Sequence, residues 1–197
     1  MHSRISYFVN GITIWRILAA PLVIYLAFSH NLDLFKWFLA LSFFTDAVDG
    51  YLARRYKVVS KRGAVLDSVG DDLTVLAGII GIFVFKLDFI RDQLPLILVM
   101  TFFFILQVSL ALIRYRKMSA FHTWLAKIAA VLQGVFLLLL FFLPHPLYFL
   151  FYLAASVTIL DLTEETALVL LLPEWKENVK GLFWVLKTKR NRKDRTR

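Results

Sequence analysis

Six long apolar segments, separated by short polar stretches, dominate the sequence. A helix rises about 1.5 Å per residue, so roughly 20 apolar residues cross a hydrocarbon core that is about 30 Å thick. A helix also satisfies its backbone hydrogen bonds internally, which a lipid environment requires. The segments predict an all-α integral membrane protein with about six transmembrane helices in one bundle, near residues 12–28, 34–55, 64–85, 94–113, 123–143 and 147–172.

The composition agrees with a membrane protein. Hydrophobic residues make up 59% of the 197 residues, aromatic residues make up 16%, and the mean hydropathy is +0.69. A soluble domain of this length carries more charge and fewer large apolar side chains. No repeat or linker divides the sequence, so we expect a single membrane domain over residues 1–197. The sequence contains no cysteine, which excludes disulfides and thiolate metal sites.

The net charge of +9 is distributed beside the apolar segments and in a basic tail at about residues 187–197. This distribution favours anionic lipid headgroups, rather than nucleic acid, as the partner of the basic residues. Lysine and arginine are also dense between the second and third segments and between the fourth and fifth. Because cytoplasmic loops are enriched in these residues, we expect a cytoplasmic membrane of bacterial type with both termini in the cytoplasm.

Residues 174–187 are too charged to form another span, but their apolar side chains recur at helical spacing. One helical face carries Trp175, Val179, Leu182, Phe183 and Leu186, and the other carries Lys176 and Lys180. This amphipathic pattern predicts a helix that lies in the membrane interface.

Four aspartates, which are unusual at membrane depth, lie in the stretch DAVDGYLARRYKVVSKRGAVLDSVGD of residues 46–71. Asp46 and Asp49 share one helical face, and Asp67 and Asp71 share another, because they are three and four residues apart. If the two helices are antiparallel neighbours, these faces converge. Carboxylates that close repel and take up protons unless cations intervene, and two divalent ions would neutralise all four.

The residue types indicate which metal such a site would prefer. Carboxylate oxygens without nearby histidine or cysteine favour Mg²⁺ or Mn²⁺ over Zn²⁺. Small residues on the same faces, Gly50, Ala53 and Gly63, leave room for a ligand, and Arg54 is suited to phosphate. The alternative is structural: the small residues pack helices, and the aspartates pair with nearby cations, namely Arg54, Arg55, Lys61 and Arg62.

The spacing D-x-x-D-G-x-x-A-R, then eight residues, then G-x-x-x-D-x-x-x-D resembles the signature of the CDP-alcohol phosphotransferase (CDP-alcohol phosphatidyltransferase) family, class I. Every defined position of the signature matches, at Asp46, Asp49, Gly50, Ala53, Arg54, Gly63, Asp67 and Asp71. Asp72 lies about 100° round the helix from Asp71 and falls outside the pattern.

The resemblance implies transfer of a phosphatidyl or phospho-alcohol group from a CDP-linked donor to a hydroxyl group, with release of CMP. It implies two Mg²⁺ or Mn²⁺ ions, one held by Asp46, Asp49 and Asp67, and the other by Asp46, Asp67 and Asp71. Asp71 is the implied general base for the acceptor hydroxyl. The donor site is implied at Gly50, Ala53, Arg54 and Gly63. Relatives commonly form homodimers, so a homodimer is expected.

Asn10, Thr13 and Arg16 open the first segment in a pattern that is similar to the family's N-x-x-T-x-x-R start. The resemblance implies that these residues approach the nucleotide or the diphosphate of the donor. The alternative is an interfacial anchor in which Arg16 extends its charged end to the membrane surface.

Arg114, Arg116 and Lys127 lie around the start of the predicted fifth helix and are candidates for the acceptor site, because family members with a phosphorylated acceptor bind it there. The sequence FHTWLAKIAAVLQ departs from the K-x-K-T-like stretch of bacterial phosphatidylglycerophosphate synthases. We expect CDP-diacylglycerol as donor and a small alcohol as acceptor, nearest to the glycerol-3-phosphate branch. One alternative is a CDP-choline or CDP-ethanolamine enzyme with a lipid acceptor. Another is a Mg²⁺ transporter, for which the fourth and fifth helices offer few polar lining residues.

Asp161, Glu164 and Glu165 in the sixth segment lie outside the signature. They either pair with Arg114, Arg116 or Lys127, or lie near a cationic or polyol acceptor. Pairing is the favoured interpretation, because charged groups at membrane depth usually have a partner of opposite charge.

Overall fold

The computed structural model describes residues 2–56, 61–117, 121, 123–175 and 179–187. This part of the chain contains six long α-helices and no β-strand. The helices are α1 (His2–Phe28), α2 (Leu32–Arg55), α3 (Lys61–Phe85), α4 (Leu87–Tyr115), α5 (Trp124–Phe142) and α6 (Tyr148–Leu171). The all-α architecture predicted from the apolar segments is confirmed.

Two helices begin earlier than the apolar pattern predicts. The first starts at His2 rather than near residue 12, and the fourth starts at Leu87 rather than near residue 94. The fourth helix also continues through Pro95, which cannot donate a backbone hydrogen bond. Hydropathy identifies the part of a helix that matches the hydrocarbon thickness. The polar turns beyond it stay helical, because each residue added to an existing helix gains a hydrogen bond at little extra cost.

Three helices of the described part are long and apolar enough to cross a membrane: Gly11–Phe28 of the first helix, Leu87–Tyr115 and Trp124–Phe142. The second, third and sixth helices carry several charged residues within their apolar lengths, including the aspartates. The chain is therefore an all-helical membrane protein. The number of six crossings stays a prediction.

The chain divides into two compact units, and the first comprises Met1–Asp92 and Leu137–Pro144. In this unit α1 packs against both α2 and α3. The core consists of the buried apolar residues Val23, Leu26, Ala27, Phe35, Leu39, Ala77 and Phe141. Gly81 of α3 lies against the Phe35 ring of α2 so closely that a Cβ at this position would be 2.2 Å from the ring. The packing holds the first three helices side by side, which brings their polar residues together.

The second unit comprises Gln93–Phe136 and His145–Arg197. Its buried apolar core is Ala111, Phe121, Leu168, Val169 and Leu172. Residues 182–187 form a short helix whose Leu182 and Val185 pack against this core, together with Val179. Phe183 and Leu186 are exposed, and the predicted position of this segment in the membrane interface stays a prediction. The interpretation of residues 1–197 as one domain stays a prediction.

Candidate active site

Helices α2 and α3 bring three of the predicted aspartates into one cluster. Asp46 and Asp49 lie on α2, Asp67 lies on α3, and each offers a carboxylate oxygen within 4.8 Å of the others. Asp49 is buried, whereas the side chains of Asp46 and Asp67 are 39% and 41% exposed. Three converging carboxylates of this kind are suited to a divalent cation, and the open side leaves access for a ligand.

The buried carboxylate of Asp49 has one satisfied oxygen and one unsatisfied oxygen. Thr13 of α1 donates its hydroxyl hydrogen to Oδ2 of Asp49 at 2.9 Å, and both side chains are buried. Among the described residues, Oδ1 of Asp49 has no hydrogen-bond partner. A buried anionic oxygen left in this way is costly, and a bound cation would remove the cost. The donor set therefore fits a hard divalent metal ion.

A buried arginine from the first helix lies among the carboxylates. The side chain of Arg16 is fully buried, and Nη1 forms a short ion pair with Oδ1 of Asp46. Nη2 lies 3.0 Å from Oδ1 of Asp67 and 3.0 Å from Oδ1 of Asp71. Nη2 also donates to the backbone carbonyl of Asp67 at 3.3 Å. The alternative in which Arg16 extends to the membrane surface is wrong, because carboxylates in the protein interior replace the water that its charge requires.

Asp71 completes the cluster at its exposed edge. Its side chain is 47% exposed, and its contact with Arg16 connects it to Asp46 and Asp67. The neighbouring Asp72 is exposed and forms no ion pair with a described residue. The structure thus separates the two adjacent aspartates in the way that helical spacing predicts.

The structure locates some predicted donor residues more fully than others. Gly50 lies on α2 and Gly63 lies in the first turn of α3, at the end of each helix that carries the aspartates. The side chains of Asn10, Ala53 and Arg54 lie outside the described ones, as do those of Lys61 and Arg62. Among the described side chains, Arg16 is the cation that pairs with the cluster.

Arg16 is predicted near the donor, but its contact with the aspartates is not predicted from the sequence. Its spacing of three residues from Thr13 is the one local signal, because this spacing puts both polar side chains on the same face of an apolar helix. The partner helices lie 30 to 55 residues further along the chain. No local pattern identifies a partner at that separation.

The acceptor candidates belong to the second unit. Nε of Arg114 donates to the Leu172 carbonyl at 3.3 Å, and Nζ of Lys127 lies 5.0 Å from the centre of the Trp124 ring. Arg116 follows α4 with a positive φ of 55° and is exposed. The structure gives Arg114 and Lys127 local partners within their own unit.

The acidic side chains of α6 accept hydrogen bonds from neutral donors. Asp161 accepts from the Thr123 hydroxyl at 3.0 Å, and Glu165 accepts from the Gln107 amide at 2.8 Å. Glu164 accepts from the backbone N–H of Leu182 at 2.8 Å. Within the described residues, Asp161 and Glu164 form no ion pair with the basic candidates Arg114, Arg116 and Lys127, so the favoured pairing is wrong for both.

Comparisons with known proteins match the region that contains the site. The model of the CDP-alcohol phosphatidyltransferase family matches residues 7–161. The chain is 32% identical to the CDP-diacylglycerol–glycerol-3-phosphate 3-phosphatidyltransferase of Rickettsia typhi over 127 residues, which cover 63% of this chain and 70% of that protein. It is 34% identical over 128 residues to the protein of the same name from Rickettsia felis, covering 63% and 68%.

A shorter match, with 40% identity over 65 residues, relates the chain to the CDP-diacylglycerol–inositol 3-phosphatidyltransferase of Saccharomyces cerevisiae, covering 33% of this chain and 29% of that protein. No solved structure matches the chain. The family match contains Thr13, Arg16 and all the aspartates of the cluster. The chain belongs to the CDP-alcohol phosphatidyltransferase family.

Proposed function

We propose that this phosphatidyltransferase moves a phosphatidyl group from CDP-diacylglycerol to a hydroxyl group of glycerol 3-phosphate and releases CMP. The observation that carries the reaction type is the convergence of carboxylate oxygens from Asp46, Asp49 and Asp67 within 4.8 Å. The choice of acceptor is supported by the names of the relatives from Rickettsia. An acceptor with its own phosphate also suits the basic side chains of Arg114, Arg116 and Lys127.

Two divalent ions, Mg²⁺ or Mn²⁺, are proposed for the aspartate cluster. Asp46, Asp49 and Asp67 would hold one ion, and Asp46, Asp67 and Asp71 would hold the other. When bound, the ions supply positive charge that offsets the diphosphate of the donor and the charge that develops on the leaving CMP. The unsatisfied Oδ1 of Asp49 supports this proposal, because a buried carboxylate oxygen otherwise lacks a partner.

Asp71 is the proposed general base. The acceptor hydroxyl oxygen attacks the phosphorus of the phosphatidyl group, the P–O bond to the CMP phosphate breaks, and the hydroxyl proton passes to a carboxylate oxygen of Asp71. The partial exposure of this side chain supports the role, because a small polar acceptor must reach it from water. Asp72 has no part in the transfer.

The donor is proposed to lie along the same faces, near Asn10, Thr13, Gly50, Ala53, Arg54 and Gly63. Two glycines and an alanine leave space for a nucleotide, and a guanidinium group is suited to the diphosphate. Thr13 acts through Asp49, because its hydroxyl hydrogen is donated to that carboxylate. Its contribution is therefore to hold a metal ligand in place.

We propose that the active site faces the cytoplasm. The loop that follows the α2 aspartates and both termini face the cytoplasm, where the water-soluble acceptor is found. The basic tail contacts anionic lipid headgroups. The chain acts as one membrane domain in a homodimer, without nucleic acid. These proposals rest on the basic loops and tail of the sequence and on the resemblance to the family.

A panel of substrates tests the proposal. Purified protein in mixed micelles receives CDP-diacylglycerol with glycerol 3-phosphate, inositol or serine, and separately CDP-choline with diacylglycerol. Mass spectrometry identifies the lipid product, and CMP is measured with Mg²⁺, with Mn²⁺ and with a chelator. We expect phosphatidylglycerophosphate and CMP only from the mixture of CDP-diacylglycerol with glycerol 3-phosphate. We expect no CMP after chelation of the metal. Product from another mixture would assign the substrates of that mixture in place of the proposed ones. The absence of CMP from every mixture would contradict the transferase proposal.

A further inference from the structure

We infer that Arg16 is a built-in counter-ion of the aspartate cluster, which holds the carboxylates together without metal and competes with divalent cations for them. The inference rests on the proposed metal centre and adds a residue that sets its affinity. Arg16 is a positioning residue in this scheme, because it acts on the carboxylates that bind the metal. Arg16 affects the affinity of the substrate-free protein for a metal ion, which can be measured without turnover.

Arg16 offsets only part of the negative charge of the cluster. Four carboxylates, from Asp46, Asp49, Asp67 and Asp71, surround one guanidinium group whose side chain is completely buried. One positive charge offsets part of the repulsion among four negative ones and leaves an excess of negative charge. A buried cation without such partners is unfavourable, so the cluster and Arg16 stabilise each other. The same excess of negative charge attracts a divalent ion.

Arg16 and a metal ion require the same carboxylates. Nη1 contacts Oδ1 of Asp46, and Nη2 contacts Oδ1 of Asp67. Both aspartates also belong to the group whose oxygens converge for a metal, together with Asp49. Two cations that share ligands at short range repel each other strongly in a protein interior. The contact of Arg16 with these carboxylates therefore weakens the binding of a metal ion to them, and a bound metal ion weakens the contact of Arg16.

The guanidinium group of Arg16 is incompletely hydrogen-bonded. Among the described residues, Nε of Arg16 has no hydrogen-bond partner, although the atom is buried. An arginine that binds a fixed partner usually employs its fork of donors more fully. Because Nε forms no hydrogen bond in this position, moving the side chain away breaks fewer hydrogen bonds and costs less free energy. The contact is thus suited to exchange with a metal ion.

Gly70 provides an independent way to test this position. It lies on α3 between Asp67 and Asp71, and a Cβ there would lie 2.8 Å from both Nε and Nη2 of Arg16. The guanidinium group therefore lies against a backbone that has no side chain. Gly70→Ala would force Arg16 to move without removing a charge or a carboxylate. Gly11→Ala is the matched control, because a Cβ at Gly11 would meet nothing within 4 Å.

The experiment titrates Mn²⁺ into the full-length protein in detergent and measures the free ion by electron paramagnetic resonance. Thermal unfolding is recorded with Mn²⁺ and with a chelator. Arg16→Gln and Gly70→Ala are expected to bind Mn²⁺ at least roughly tenfold more tightly than the wild type, because a competing cation has been removed or displaced. In the chelator Arg16→Gln unfolds at a lower temperature than the wild type, and Mn²⁺ reverses the difference. Arg16→Lys and Gly11→Ala stay within about threefold of the wild-type affinity.

The outcomes separate this inference from the metal centre itself. Equal or weaker Mn²⁺ binding by both Arg16→Gln and Gly70→Ala, with normal binding by the wild type, would overturn the competition and leave the metal centre intact. Absence of Mn²⁺ binding by the wild type would overturn both. If Arg16→Gln does not fold, Gly70→Ala alone decides, because it keeps all the charges.

Discussion

Thr13 donates its hydroxyl hydrogen to Oδ2 of Asp49 at 2.9 Å, and both side chains are buried at the contact between α1 and α2. The relationship joins a residue of the apolar first helix to the least exposed carboxylate of the site. It orients one oxygen of the carboxylate, while the other oxygen, Oδ1, has no hydrogen-bond partner among the described residues. The first helix thus contributes both Thr13 and Arg16 to the candidate metal site.

Replacing Thr13 by valine tests this relationship. The substitution keeps the shape of the side chain and removes the donor, so Asp49 loses its orientation. Loss of such a partner of a metal ligand usually lowers metal affinity or activity by about 10- to 100-fold. We expect a decrease of this size in Mn²⁺ affinity and in CMP release. Thr13→Ser restores the hydroxyl and is expected to restore most of both, and an inactive serine variant with normal folding would argue for a purely steric role.

The aspartates of the converging group should be required for CMP release. Asp49→Asn and Asp67→Asn each remove a negative ligand, and we expect activity to fall by at least about 100-fold. Asp72→Asn is the matched control, since it removes an exposed charge next to the site. Its activity is expected to stay within about twofold of the wild type. The assignment fails if Asp67→Asn keeps wild-type turnover.

Asp71→Asn should separate proton removal from metal binding. The variant keeps the three carboxylates that converge within 4.8 Å, so one Mn²⁺ ion should still bind. CMP release should fall by about 10²- to 10⁴-fold, the usual contribution of general-base catalysis. Assays quenched at fixed times give the rate of CMP release. Titration with Mn²⁺, followed by electron paramagnetic resonance as for Arg16, gives the number of bound Mn²⁺ ions. Unchanged CMP release would remove Asp71 from the role of base.

The basic residues of the second unit should affect the acceptor and not the donor. Alanine at Arg114, Arg116 or Lys127 removes a charge-assisted contact to a phosphate, worth roughly 1.5–3 kcal/mol, which corresponds to about tenfold or more in KM for glycerol 3-phosphate. The KM for CDP-diacylglycerol should stay constant. Arg91→Ala is the control, because Arg91 is exposed and its ion pair within the described residues is with Asp88. Equal effects on both KM values would indicate a structural role.

Glu164 should hold the segment around Leu182 against helix α6 within the second unit. Its Oε1 accepts from the N–H of Leu182, and Gly181 has φ +147° with a position for Cβ only 3.0 Å from the same oxygen. Glu164→Ala and Gly181→Ala should both increase cleavage within the segment in limited proteolysis, the second because alanine is strained at this φ. Glu174→Ala, at an exposed position, should not. Unchanged cleavage in both test variants would contradict this role.

Local sequence determined the helices and the faces of the aspartates. Apolar length predicts a membrane helix because the hydrocarbon thickness is fixed, and the spacing of Asp46 and Asp49 or of Asp67 and Asp71 determines a shared face because helical geometry is fixed. The start of α1 at His2 was not predictable in this way, because hydropathy does not detect polar turns that remain helical.

Only the tertiary structure decided the partners of these residues. The convergence of Asp46, Asp49 and Asp67 depends on the pairing of α2 with α3. Arg16 lies on a third helix, α1, and its burial depends on contacts with residues that are 30 to 55 positions further along the chain. A lone arginine in an apolar helix is expected at the membrane surface, where water solvates it. Here carboxylates from two other helices provide that solvation, and no local pattern encodes their positions.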